Sequence, residues 1–255
     1  MANYLAHHGV LGQKWGVRNG PPYPIEDKKL SKGTQLETVK LKEDKIYKYG
    51  KRGRAMYTYN PKDEWDKKVY RGAFSVYKSN YLKRPMYVAK YEVKKDLKMP
   101  TKQQRVDELI KLSEKDPKQT LADLKDIRNI MYQWSFKTTL GPHIMESLAH
   151  WDGHELPKNS KEWAAAYSLM QNGLENVSMW KTTMNYMKVM SSKYDAMVDD
   201  NNVNVYNRAH DPIIIFKAEQ ALKAIGGQEL DSKEIAESYQ YVKKELKKQG
   251  LEIEL

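Results

Sequence analysis

His143, His150 and His154 crowd one stretch of the chain, and Asp152 lies between the last two. Histidines four apart share one face of a helix, which is how paired imidazoles grip zinc. Gly153 weakens a helix there, and no glutamate follows His150 as a zinc protease would require, so the sequence assigns no metal to this group. The run Asp199-Asp200-Asn201-Asn202 offers oxygen ligands for a hard cation. It lacks the spacing of an EF-hand loop and reads as a turn, because Asp and Asn accept local backbone bonds. There is no Gly-x-Ser-x-Gly elbow, no Walker phosphate loop, no Gly-x-Gly-x-x-Gly after a strand and no cysteine. A thiolate nucleophile, disulfides and Cys-ligated metals are thereby excluded. The basic turn Lys51-Arg52-Gly53-Arg54, with Tyr47, Tyr49, Tyr57 and Tyr59 around it, could meet nucleic-acid phosphates.

The charge distribution bears on that contact. Within a net +11, residues 1–111 carry +14 and residues 112–255 carry −3. A polyanion such as DNA would face the first part, although a solvated lysine-rich surface accounts for the same excess. With 255 residues and 40% apolar side chains, the chain can bury a sizeable core. The longest apolar runs are short, as at Pro212–Phe216, so no membrane partner is expected.

The elements that must position these residues follow from local patterns. Residues 1–33 hold Gly9, Gly12, Gly16, Gly20, Pro21, Pro22 and Pro24, which sustain neither a helix nor a central strand. The same segment spends Leu5, Val10, Leu11, Trp15 and Val17, which a linker would not, so it reads as a docking peptide. Strands are expected at Thr34–Lys42, Ala55–Tyr59, Pro85–Val93, Tyr194–Val198, Val203–Tyr206 and Pro212–Phe216. Asn60-Pro61 is set to start a helix running to about Tyr77, with Asn60 as its cap. A capping box, Thr101 with Gln104, opens a helix ending near Lys115, and Asp116-Pro117 opens another running to Lys137. Gly141-Pro142 reads as an interruption. Ser160 and Ser178 start two more helices, the second with a core stripe of Met179, Met184, Met187 and Met190. Asp231 with Glu234 caps the last helix, Ser232–Gln249. Strands, then helices, then strands, then a helix make an α+β domain over residues 34–255, with a small split sheet and a helical middle section.

Two stretches carry resemblances. His7-His8-Gly9-Val10-Leu11-Gly12-Gln13-Lys14-Trp15-Gly16-Val17-Arg18 resembles a short module, HHG-x-x-GQKWGVR, found in virion and head-morphogenesis proteins of tailed phages and prophages of Gram-positive bacteria. The glycines allow close backbone approach, Trp15 is a large apolar anchor, and Lys14 and Arg18 add charge. The resemblance implies a virion protein, assembled in the host cytoplasm and docked through His7, His8, Gly9, Gly12, Lys14, Trp15 and Arg18 on a capsid or portal protein.

The body, through Gly33–Lys42, Ala55–Gly72, Tyr91–Pro100 and Tyr194–Phe216, resembles a phage-associated domain whose layout is similar to ADP-ribosyltransferase-like folds. Active members of that layout place Arg or His on the first strand, where this chain has Leu36, Glu37, Thr38 and Val39. They place Glu near the closing strand, where this chain has Asp211-Pro212. Tyr57, Thr58 and Tyr59 correspond to the family's second-strand hydroxyls, with Tyr57 and Thr58 the nearest matches, and Arg71 is the remaining cation that could hold phosphates. The expected function is therefore a non-catalytic virion structural protein with no cofactor and a secondary DNA contact through Lys51, Arg52 and Arg54. An NAD-dependent ADP-ribosyltransferase acting on a host target and a non-specific DNA-binding protein are the alternatives.

Overall fold

The protein is α+β, with three small antiparallel sheets and a helical middle. The computed structural model describes residues 25–26, 29–47, 55–76, 85–135, 142–174, 179–199, 209–210 and 212–248. Val203–Tyr206, Asp200–Asn202, Lys51, Arg52, Arg54 and the whole 7–18 module lie outside the described residues.

Two short strands open the described chain, β1 (Ile25–Glu26) and β2 (Lys29–Leu30). They pair antiparallel with each other, and β2 pairs on its other side with β6 (Leu97–Lys98). Leu30 and Leu97 are fully buried where β2 meets β6, so the chain already belongs to the domain by Leu30. The second sheet has the order β3 (Gln35–Leu41), β5 (Met86–Val93), β9 (Leu222–Glu229). The third has the order β4 (Ala55–Thr58), β8 (Ile213–Phe216), β7 (Ala196–Val198). Among the described residues these two sheets meet through a single backbone bridge. Glu37 N–H donates to the Tyr59 carbonyl and Tyr59 N–H to the Glu37 carbonyl, both at 2.9 Å.

The β8 strand, Ile-Ile-Ile-Phe, is buried along its length because it lies in the middle of its sheet with both faces covered. Ile214 and Phe216 face the helical cluster, and Ile213 and Ile215 face the cluster on β5. The expected strand β3 forms, but Leu36 through Leu41 are all buried, so its alternation is hidden by cover on both sides. Strand β9 carries no sequence signal: it is an exposed edge holding Gly226 and Gly227, with a bulge opposite Lys90 and Tyr91. Gly227 is required there, since a Cβ would lie 2.5 Å from the Val88 carbonyl oxygen.

The helical middle comprises α2 (Lys102–Lys115), α3 (Pro117–Ser135), α4 (Pro142–His150), α5 (Ser160–Gln171) and α6 (Lys181–Lys193). The Thr101–Gln104 capping box is present as expected. Pro142 opens a helix instead of interrupting one, which suits its lack of a donor at the first position. Asn159, not Ser160, caps α5, accepting from the backbone of Lys161 and Glu162. Of the methionine stripe only Met187 and Met190 are core. Met179 and Met184 are exposed, because the buried arc of α6 runs through Thr183, Tyr186, Met187 and Met190.

The helix after β4 departs most from expectation. Asn60 does not cap it; its Oδ1 accepts from Lys62 N–H within a turn. Asp63 is the cap, accepting from the Trp65 and Asp66 N–H groups, and α1 (Glu64–Lys68) passes into a π-helix, Val69–Phe74. That wider turn lies against α8 (Ser232–Lys248), and a short α7 (Ala218–Ala221) precedes β9. Gly72 sits at the crossing, where a Cβ would come 2.5 Å from the Tyr239 nitrogen and 2.6 Å from the Ser238 carbonyl carbon. Backbone cannot yield as a flexible side chain would. Gly72→Ala should therefore push α8 outward and cost about 1–3 kcal/mol, measured by chemical denaturation. Unchanged stability would show that the two helices are not held at this spacing.

Candidate functional site

The polar centre of the described structure is built on the bridge between the two sheets. Glu37 and Tyr59 are both buried, and the Tyr59 hydroxyl donates to Glu37 Oε2 at 2.7 Å. The π-helix brings Arg71 to the same carboxylate, with Nη2 donating to Glu37 Oε2 at 2.7 Å. Arg71 Nη1 donates to Glu234 Oε1 on α8, also at 2.7 Å, and Nε to the Tyr59 oxygen at 3.4 Å. Tyr59 stacks on Tyr70 with centroids 4.6 Å apart. Glu234, expected as half of a helix cap, is drawn off to Arg71, while Asp231 accepts from Lys233 N–H.

The electrostatics follow from burial. Desolvation works against the Arg71 charge, but Tyr59, Glu37 and Glu234 outweigh it and raise its pKa further, so the guanidinium stays charged. Burial, reinforced by the Glu37 charge, lifts the Tyr59 phenol well above the ordinary tyrosine range, with Arg71 opposing. Tyr59 is thus a neutral donor, and Glu37 is the anion that both groups solvate.

This arrangement decides what the three candidate catalytic residues can do. Arg71 is spent on two carboxylates, with a side chain only 9% exposed, and has no face turned to a bound phosphate. Thr58 is fully buried, and its hydroxyl donates to the Ile213 carbonyl at 3.1 Å. Tyr57 packs against the helical core. The fold does not bring the three together: of the second-strand hydroxyls it is Tyr59 that Arg71 meets, together with Glu37, whose pairing with Arg71 the sequence did not foresee. Glu37 on β3 and Tyr59 stand 22 residues apart in sequence, a separation that offers no motif to recognise.

The histidines of the middle segment are also separated. Helix α4 ends at His150, which faces Glu146 at 3.5 Å, and Gly153 turns the chain with φ +79°, so His154 shares no helical face with it. The His143 side chain lies outside the described residues. A different histidine does meet carboxylates. His210 Nδ1 lies 2.7 Å from Asp63 Oδ2, its backbone N–H donates to Asp66 Oδ1, and its ring stacks near Trp65. Asp63 and Asp66 are buried, and one ligand atom from each of the three residues falls within 4.8 Å of the others. Only tertiary structure joins them, across 144 residues of chain.

No helix among the described residues is long and apolar enough to cross a membrane. Comparison with protein-family models, curated proteins and solved structures finds no match.

Two outcomes follow from the buried network. Arg71→Ala leaves Glu37 without its counter-charge and should cost about 3–5 kcal/mol of stability. Lys42→Ala, which breaks the exposed Lys42–Glu229 pair, should leave stability nearly unchanged, because solvent screens that pair. Equal losses in urea titrations would contradict the assigned geometry. For Tyr59 the folded pKa lies above the unfolded one, so its contribution is whole below about pH 10 and fades as pH rises through the folded value. Tyr59→Phe should therefore flatten the alkaline fall in stability above about pH 10, read from denaturation midpoints across pH.

Proposed function

We propose that this chain is a non-catalytic, virion-associated protein of a tailed bacteriophage, seated at the head or portal region. It docks through the 7–18 module on a capsid or portal protein and works without a cofactor. The observation that carries the non-catalytic part is the engagement of Arg71 by Glu37 and Glu234. A transferase acting on NAD needs a cation turned toward the pyrophosphate and an acid that stabilises the charge developing on the ribose. β3, which the resemblance sets against the family's first strand, carries Glu37 in place of such a cation, and Arg71 neutralises it. Fold and activity part readily, since activity resides in a few placed side chains.

The particle-associated part rests on the His7–Arg18 module, whose glycines and Trp15 suit a peptide that lies on a surface. DNA contact through Lys51, Arg52 and Arg54 belongs to the same reading, as the basic excess lies in this half of the chain.

Deleting Ala2–Arg18 should leave thermal unfolding nearly unchanged and remove the protein from purified particles. Trp15→Ala alone should do most of this damage, because buried aromatic anchors commonly contribute about 2 kcal/mol or more to an interface. Normal incorporation of the deletion would refute the docking role. Calorimetric titration with NAD should give no binding heat, and nicotinamide released from NAD would establish the transferase instead.

A further inference from the structure

We propose that Asp63, Asp66 and His210 form a structural site for a first-row divalent cation, with zinc the best fit. The proposal is independent of the docking function and rests on the convergence of three ligand types suited to such an ion.

The ligand atoms come from two places in the chain. Asp63 and Asp66 stand at the start of α1, three residues apart, and His210 stands just before β8. Their ligand atoms all lie within 4.8 Å of one another, so a small inward shift of the side chains lets one ion touch all three. One imidazole with two carboxylate oxygens is a donor set that zinc accepts, and a fourth position then falls to water. Magnesium prefers oxygen alone, so the imidazole disfavours it.

The surroundings already aim these groups. Asp63 Oδ1 accepts from the N–H groups of Trp65 and Asp66 at 2.9 and 3.1 Å, which fixes the carboxylate plane and turns Oδ2 toward the His210 ring. Asp66 is likewise oriented by the His210 backbone N–H, and the Trp65 ring, 6.1 Å from the imidazole between centroids, limits its rotation. Such outer contacts are what set ligand direction in metal sites. The Asp63–His210 separation of 2.7 Å has to open by a few tenths of an ångström to admit an ion, about the spacing of adjacent ligands around zinc. In that state Nδ1 is the ligand and the ring proton sits on Nε2. The ion neutralises both buried carboxylates and ties the head of α1 to the entry of the central strand β8.

The test uses the full chain in a His7→Ala/His8→Ala background, because those two histidines would also take up zinc. After treatment with a chelator and its removal, calorimetry with ZnCl2 should show one equivalent bound. At about a hundredfold excess over Kd, zinc should raise the unfolding midpoint by roughly 5–10 °C. Asp66→Asn keeps an acceptor for the His210 N–H but removes a charged ligand, and it should abolish both effects. If that variant does not fold, cobalt added to the parent protein should give the visible absorption of a nitrogen- and oxygen-ligated ion. Absence of zinc uptake by the parent, or uptake that survives Asp66→Asn, would overturn the site and leave His210 as a hydrogen-bonded latch on Asp63.

Discussion

The buried carboxylate of Glu37 is the constraint around which the rest is arranged. It lies on β3 at the one residue pair through which the two larger sheets exchange backbone hydrogen bonds, among the described residues. An ionised group in that position would be prohibitively costly alone. Tyr59 and Arg71 converge on its Oε2, and Arg71 in turn needs Glu234 to engage its other nitrogen. Four elements are thereby fixed in mutual orientation: β3, the end of β4, the π-helix and α8. An apolar contact at the same place would stabilise the junction as well, but it would not specify the angle and register that directed hydrogen bonds impose.

The π-helix is understandable as a consequence of that requirement. The chain leaves β4 at Thr58, makes the Asn60 turn, and must present Arg71 back toward Tyr59 while keeping Val69 and Tyr70 in the core. The wider turn over Val69–Phe74 achieves this, and Gly72 lets α8 approach its backbone closely enough for Glu234 to reach Arg71. π-Helical turns recur where a side chain must be placed off the ordinary helical course.

Much of this architecture was legible in the sequence because its elements are set locally. The capping box at Thr101, the β-branched run of β8 and the alternation of β5 need no tertiary knowledge. What was hidden depends on distant partners. Strand β9 is an exposed, glycine-bearing edge held by pairing to β5, and no propensity marks it. Glu37 shares a strand face with Val39 and Leu41, and nothing near it in sequence announces the Arg71 that comes from the helix after β4. Glu234 matches a capping pattern but is drawn off by a stronger, charged partner. His210 has no neighbour in sequence that suggests Asp63, and the histidines that are adjacent in sequence are held apart by the turn at Gly153.

The start of the described chain is tied into the fold by a short path of pairings. β1 pairs with β2 and β2 with β6, where Leu30 and Leu97 are fully buried. From there the backbone of Lys98 exchanges hydrogen bonds with Asp195, next to β7, so the path runs directly into the central three-stranded sheet. Antiparallel pairing of only two residues per strand is weak alone. Burial of the two leucines and the coupling to β7 give the anchor what the short pairing cannot. Leu36, the neighbour of Glu37 on β3, packs in the same cluster as Leu30 and Leu97, so this route and the Glu37 junction share one core.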